Sequence, residues 1–179
     1  TGNGSEQQYF TASVIGAAVL AVLTWLGIWC FEPPVLTFFG ADAELLPLAQ
    51  TYLKPVKFVF PLFLVNEMLM FFLQTDGNPG RATLAILSGG IFNIFGDIFF
   101  VFGCDMGIFG AGLATAIGAA ISTCVMLTHF LSRKNTLCLV KPTHLLHRLR
   151  EVFATGFSTF FVDMAMGILT VLFNRQIMK

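Results

Sequence analysis

Five stretches of about twenty apolar residues divide this chain, the length a helix needs to cross the roughly 30 Å hydrocarbon core of a bilayer. They run from about 9 to 31, 52 to 74, 82 to 103, 108 to 131 and 152 to 174. Between them, "FEPPVLTFFGADAELLP", "TDGNPGR" and "CDMG" carry the Gly, Pro, Asp and Asn that make turns. Of the 179 residues, 56% are hydrophobic and 11% charged, far from the balance of a soluble domain. The expected fold is therefore all-α, a polytopic membrane helical bundle with the lipid bilayer as its first partner. Ten basic and ten acidic residues cancel, and no basic run is interleaved with aromatics, so a nucleic-acid partner is not expected.

Cys30, Cys104, Cys124 and Cys138 form no CxxC pair and have no His at metal-ligand spacing. They read as single buried thiols used as small apolar residues. The chain starts without an initiator Met or a signal-peptide pattern and stops just after an apolar segment, so it is expected to be part of something longer. The fourth connection, "SRKNTLCLVKPTHLLHRLRE", is long and basic. Leu145, Leu146, Leu149 and Val152 fall at helical spacing opposite His144, His147, Arg148 and Glu151, which suits either a helix lying on the membrane surface or a plain solvated connector.

Five crossings place the DGNPGR turn and that connection on one side, with Arg81, Arg133, Lys134, Lys141, Arg148 and Arg150. The opposite loops hold Glu32, Asp42, Glu44 and Asp105, so the basic side is expected to be cytoplasmic. Lys54, Lys57, Arg175 and Lys179 run against this bias, and each is near enough to a helix end to snorkel to headgroups. His129, His144 and His147, at or beyond the end of the fourth segment, are expected to contact headgroups.

Three segments each carry an acid near the middle: Glu67, Asp97 and Asp163. On a helix, Gly89, Gly90, Asn93, Gly96, Asp97 and Phe100 share one face, while Ile86, Leu87, Ile91, Ile94, Phe95, Ile98 and Phe99 form the other. A mid-membrane acid costs on the order of 2.5 to 3.5 kcal/mol on insertion scales, so it is kept where it faces a cavity or a partner. Two readings stay open: a neutral Asp97 hydrogen-bonded to Asn93 as helix glue, or a carboxylate that takes and releases a proton or sodium ion.

Gly107, Gly110, Ala114 and Gly118 make a small-residue stripe on the fourth segment, with Thr115 inside it. Thr115 suits either a bond to its own backbone or a third oxygen for a site with Asp97. In the second segment, Asn66 and Glu67 point about 100° apart, and Pro61 is expected to bend the helix. Met68, Met70, Met164 and Met166 suit plain packing or an adaptable apolar pocket. No nucleophile elbow, phosphate loop or paired metal motif is present, so no catalytic residue is assigned.

The string "QTDGNPGRATLAILSGGIFNIFGDIFFVFGCDMGIFGAGLATAIG", residues 74 to 118, resembles the multidrug and toxic compound extrusion (MATE) transporters. The likeness lies in the GNP turn entering a helix, the N-x-x-x-D pair Asn93 and Asp97, the "MGIFGAGLAT" hairpin, and "GFSTFFVDMAMGI" with "LFN" in the last segment. That resemblance implies an incomplete set of about five helices, the third to the seventh of a twelve-helix, two-lobe transporter. Residues 1–132 would belong to the first lobe, 133–151 to a cytoplasmic inter-lobe linker and 152–179 to the first helix of the second lobe.

The resemblance also implies a proton or sodium site at Asn93, Asp97 and Thr115, with Asn66 as a further contributor and an acid on the family's first helix. Asp163 matches a second-lobe position that is often Glu, which implies a second cation site there. Glu67, Met68 and Asn174 are candidates for the substrate cavity. The implied function is cation-coupled export of organic, often cationic, compounds by alternating access at the plasma membrane. The coupling proton or sodium ion takes the place of a cofactor, and no metal is implied beyond sodium at Asp97. The partners are small organic substrates and the remaining helices. A flippase of lipid-linked precursors, an intramembrane enzyme and a structural subunit are the competing readings.

Overall fold

The computed structural model describes residues 3–133 and 135–177, without the side chains of Asn3, Arg175 and Ile177. Lys134, Lys179 and the Arg175 side chain, which entered the charge argument, lie outside the described residues. The chain folds as α1 (Asn3–Phe38), α2 (Leu45–Thr75), α3 (Pro79–Asp97), α4 (Gly107–Leu127) and α5 (Leu145–Ile177). A π-helical turn, Ile98–Gly103, extends α3, and a 3₁₀ turn, Thr128–Leu131, ends α4. All five helices, with these extensions, are long and apolar enough to cross a membrane.

Several boundaries differ from the sequence reading, among them the start of α2 at Leu45 in place of about 52. The first helix runs past Glu32 to Phe38, broken only at Phe31, where φ is −124° and ψ is 25°. Pro33 and Pro34 lack the N–H groups that would continue the ladder and crowd the preceding turn, so the helix kinks there and resumes beyond them. The amphipathic run Leu145–Val152 is the beginning of α5 rather than a separate surface helix. No Gly or Pro interrupts "LLHRLREV", so nothing stops the helix between it and the apolar segment.

The small residues of α4 determine the architecture. Gly110, Gly112, Ala114, Gly118 and Ala119 are buried, which lets α4 pack closely against both α2 and α3. Beyond this trio, α1 lies against α2, and α5 rests on α1. Leu69, Leu73, Ala82, Ala85 and Met126 form the apolar core toward the linker end. The seven large apolar residues expected on the outer face of α3 are all exposed, but Ile86 lines the cavity between α2, α3 and α4 with Gly89 and Gly90, three and four residues further on, and so belongs to the polar face instead.

Asp76, in the α2–α3 turn, fastens the α4–α5 connection. Its carboxylate lies 2.6 Å from His129 Nε2 and accepts bonds from the Thr136 backbone N–H and hydroxyl. Asn78 lies 3.1 Å from His129 Nδ1. The headgroup role expected of His129 is therefore corrected: its side chain is 0% exposed and tied to a carboxylate, because a polar side chain held at a packed helix end must find protein partners. The α4–α5 connection also meets α1, where Val140 N donates to Thr11 Oγ1 at 3.0 Å and Thr143 Oγ1 to Gln8 Oε1 at 2.7 Å.

The cysteines are free but exposed, not buried. For a thiol on a helix of this bundle, lipid provides the apolar surroundings that a soluble protein finds in its core.

Candidate functional site

Each glycine on the polar face of α3 has a distinct place. Gly89 and Gly96 are buried against α4, where an added Cβ on Gly96 would lie 3.0 Å from Ala114 Cβ. Gly90 meets nothing within 4 Å and borders open space. That space is a cavity of about 320 Å³ between α2, α3 and α4. Asn66, Glu67, Met70, Gly90, Asn93, Thr115, Ser122 and Met126 are among its walls.

Asn93 donates from Nδ2 to Thr115 Oγ1 at 3.0 Å, and the same hydroxyl meets Tyr52 Oη at 2.9 Å. Three helices are thereby joined by one chain of hydrogen bonds. One turn beyond Asn93, Asp97 Oδ1 is the buried side-chain polar atom that lacks a hydrogen-bond partner among the described residues. The π-helical turn begins at the next residue, a geometry that concentrates at functional sites within helices. One Asn93 amide N–H is given to Thr115, which orients the amide group across the bundle.

Asn66 also enters this region, but both ends of its amide are engaged. Its Nδ2 donates to Ala119 O at 3.2 Å, and its Oδ1 accepts from Thr123 Oγ1 at 2.8 Å. It braces α2 against α4 at the cavity wall. Its neighbour Glu67 is exposed at the cavity edge.

The other candidates lie elsewhere. Met68 packs against the apolar core, while Met70 faces the cavity. Asp163 is exposed on α5. Asn174 donates to Phe39 O at 3.2 Å and ties α5 to the α1–α2 connection. The sequence reading missed Tyr52. The available signal was a phenol in an apolar segment, which needs a partner for its hydroxyl when it is partly buried.

Five helices long and apolar enough to cross a membrane, packed around a partly polar cavity, define a multi-pass membrane protein. The MatE family model matches residues 5–99, more than half of the chain, and the chain belongs to that family. It is 27% identical over 166 residues to the multidrug export protein MepA of Staphylococcus saprophyticus, covering 90% of this chain and 36% of that protein. Against MepA of Staphylococcus aureus strain RF122 the identity is 26% over the same coverage. The chain thus spans a little over a third of the length of these curated relatives.

The fold is similar to a solved structure described as the inward-facing conformation of a multidrug resistance MATE family transporter of the MOP superfamily, with a TM-score of 0.82. Identity there is 20%, over 94% of this chain and 40% of that one. The likeness establishes the fold.

Proposed function

We propose that this chain is part of a cation-coupled antiporter that exports organic compounds, and that Asp97 holds the coupling proton or sodium ion. The observation that carries this reading is the unpartnered, buried Oδ1 of Asp97 beside the Asn93–Thr115–Tyr52 chain. A buried acceptor without a partner costs about 1 to 3 kcal/mol, and more when charged. A proton or sodium ion at that oxygen removes the uncompensated charge. For sodium, the Asp97 carboxylate, the Asn93 amide oxygen and the Thr115 hydroxyl are the ligands at hand, all hard oxygens of the kind alkali cations take.

Binding of the cation and of the exported compound would favour different states of the transporter, and that difference in affinity couples the two. The cavity bordered by Gly90, Met70 and Met126 offers an adaptable apolar surface, and Glu67 at its edge suits cationic compounds. The relatives named as multidrug export proteins support this substrate class. Residues 133–151 are read as the cytoplasmic inter-lobe linker, the membrane as the plasma membrane, and Asp163 as a second-lobe cation site. In the full-length protein, Asp97→Asn should abolish cation-driven efflux from loaded vesicles while membrane insertion stays intact. Efflux at the unchanged rate would overturn the assignment.

A further inference from the structure

On the far side of α4 from this cavity, two recesses of opposite polarity adjoin. A polar one of about 300 Å³ includes Glu32, Gln50, Lys54 and Lys57 in its walls. An apolar groove of about 420 Å³ runs between α2 and α4, with Phe58 and Val59 on one wall and Phe109, Leu113, Ile117 and Ala120 on the other. Lys54 lines both. We propose that together they bind one phospholipid with an anionic headgroup, in the leaflet on the side of the α1–α2 connection.

Charge is the first argument. Lys57 is 2.5 Å from Glu32 and stands over the Trp29 ring at 4.8 Å, so that pair is internally neutral. Lys54 is exposed and has no ion pair among the described residues. The polar recess therefore carries one uncompensated positive charge, which a phosphate complements, with the Gln50 amide beside it. Depth is the second argument. Lys54 lies about 14 Å along α2 from Leu45, at 1.5 Å per residue, and α2 is about 46 Å long against a core of roughly 30 Å. Its ammonium is thus within snorkelling reach of the headgroup level.

Length is the third. From Phe109 to Ala120 the groove follows α4 for about 16 Å, close to the depth of one leaflet. An acyl chain fits that course, and a soluble anion would leave it empty. Leu113 and Ile117 face the groove, whereas Thr115 and Gly118 face the opposite cavity. The lipid would accordingly pack against the helix that positions the Thr115 hydroxyl.

The test uses the full-length protein equilibrated with mixed phosphatidylglycerol and phosphatidylcholine, with retained lipid counted by native mass spectrometry. One phosphatidylglycerol should be retained preferentially, and Lys54→Gln should lower that preference about five-fold, the scale of one basic residue at an anionic surface. Lys54→Arg should keep it. A phosphatidylglycerol carrying a photoreactive acyl chain should label residues 109–120 more strongly than the exposed α5 stretch 157–166. Equal retention of the two lipids, an unchanged preference in Lys54→Gln, displacement by inorganic phosphate alone, or no labelling of 109–120 would each overturn the proposal.

Discussion

Gly89 of α3 and Gly118 of α4 meet backbone to backbone. A Cβ on Gly89 would stand 2.6 Å from the Gly118 carbonyl oxygen, and one on Gly118 would stand 2.8 Å from that of Gly89. Neither carbonyl belongs to a flexible side chain, so the helices themselves would have to separate. Gly89→Ala or Gly118→Ala should lower stability by about 1 to 3 kcal/mol, the usual cost of overpacking. Gly90→Ala, one position along but facing open space, should instead gain about 0.5 to 1 kcal/mol from helix propensity. Thermal unfolding of the purified full-length protein in detergent distinguishes the two outcomes.

The same packing sets the position of Tyr52. A Cβ on Gly112 would lie 2.1 Å from the Tyr52 carbonyl oxygen, so α2 and α4 are in backbone contact near where the Tyr52 hydroxyl reaches Thr115. Tyr52→Phe keeps the ring and deletes one hydrogen bond, worth about 0.5 to 1.5 kcal/mol. Cation affinity, measured by calorimetry, should fall roughly two- to ten-fold if that bond orients Thr115 toward Asp97. An unchanged affinity would separate Tyr52 from the site.

Much of this was legible in the amino acids because the bilayer imposes strong rules. Helix number followed from length and apolarity, and the two faces of α3 followed from the 100° spacing of Gly89, Asn93, Gly96 and Asp97. What the sequence could not give were pairings between helices. Tyr52 and Thr115 are 63 positions apart and meet only because Gly112 lets two backbones approach. His129 was misplaced for a similar reason: its partner Asp76 is 53 positions away, so its burial was invisible from its neighbours alone. Asn66 was legible as a polar residue near the site, but its role as a brace depends on Ala119 and Thr123 of α4.

Asp76 makes a pH prediction possible. Burial raises its pKa, but hydrogen bonds from Thr136 and His129 outweigh that effect and hold the carboxyl below its ordinary value. A carboxylate with a depressed folded pKa contributes stability above its unfolded pKa of about 3.9, and loses it as pH falls through the folded value. Attachment of the linker through Asp76 should therefore be constant from neutral pH down to about 5 and fail only in stronger acid. Asp76→Ala should release it at neutral pH, because it leaves the buried His129 ring nitrogen without its hydrogen-bond partner, at a cost of about 1 to 3 kcal/mol. Tryptic cleavage after Arg133, followed by mass spectrometry, reports the release. Equal cleavage rates in the parent protein and Asp76→Ala would show that Asp76 does not fasten the linker.

A largely shielded ion pair joins α1 to α2. Glu32 and Lys57 have side chains only 12% and 11% exposed and lie 2.5 Å apart. Trp25 Nε1 donates to the Lys57 carbonyl at 2.7 Å, so the two helices are joined through the Lys57 backbone as well as its side chain. Lys57→Met leaves Glu32 as an unpaired, nearly buried carboxylate and should cost about 3 to 5 kcal/mol. Replacing Glu32 by Gln in the same chain removes that charge and should restore most of the loss, since such pairs often contribute little net stability over apolar groups of similar volume. Denaturant titration of the two single variants and the double variant closes the cycle. A double variant no more stable than Lys57→Met would mean that the lysine acts through its packing on Trp29, not through its charge.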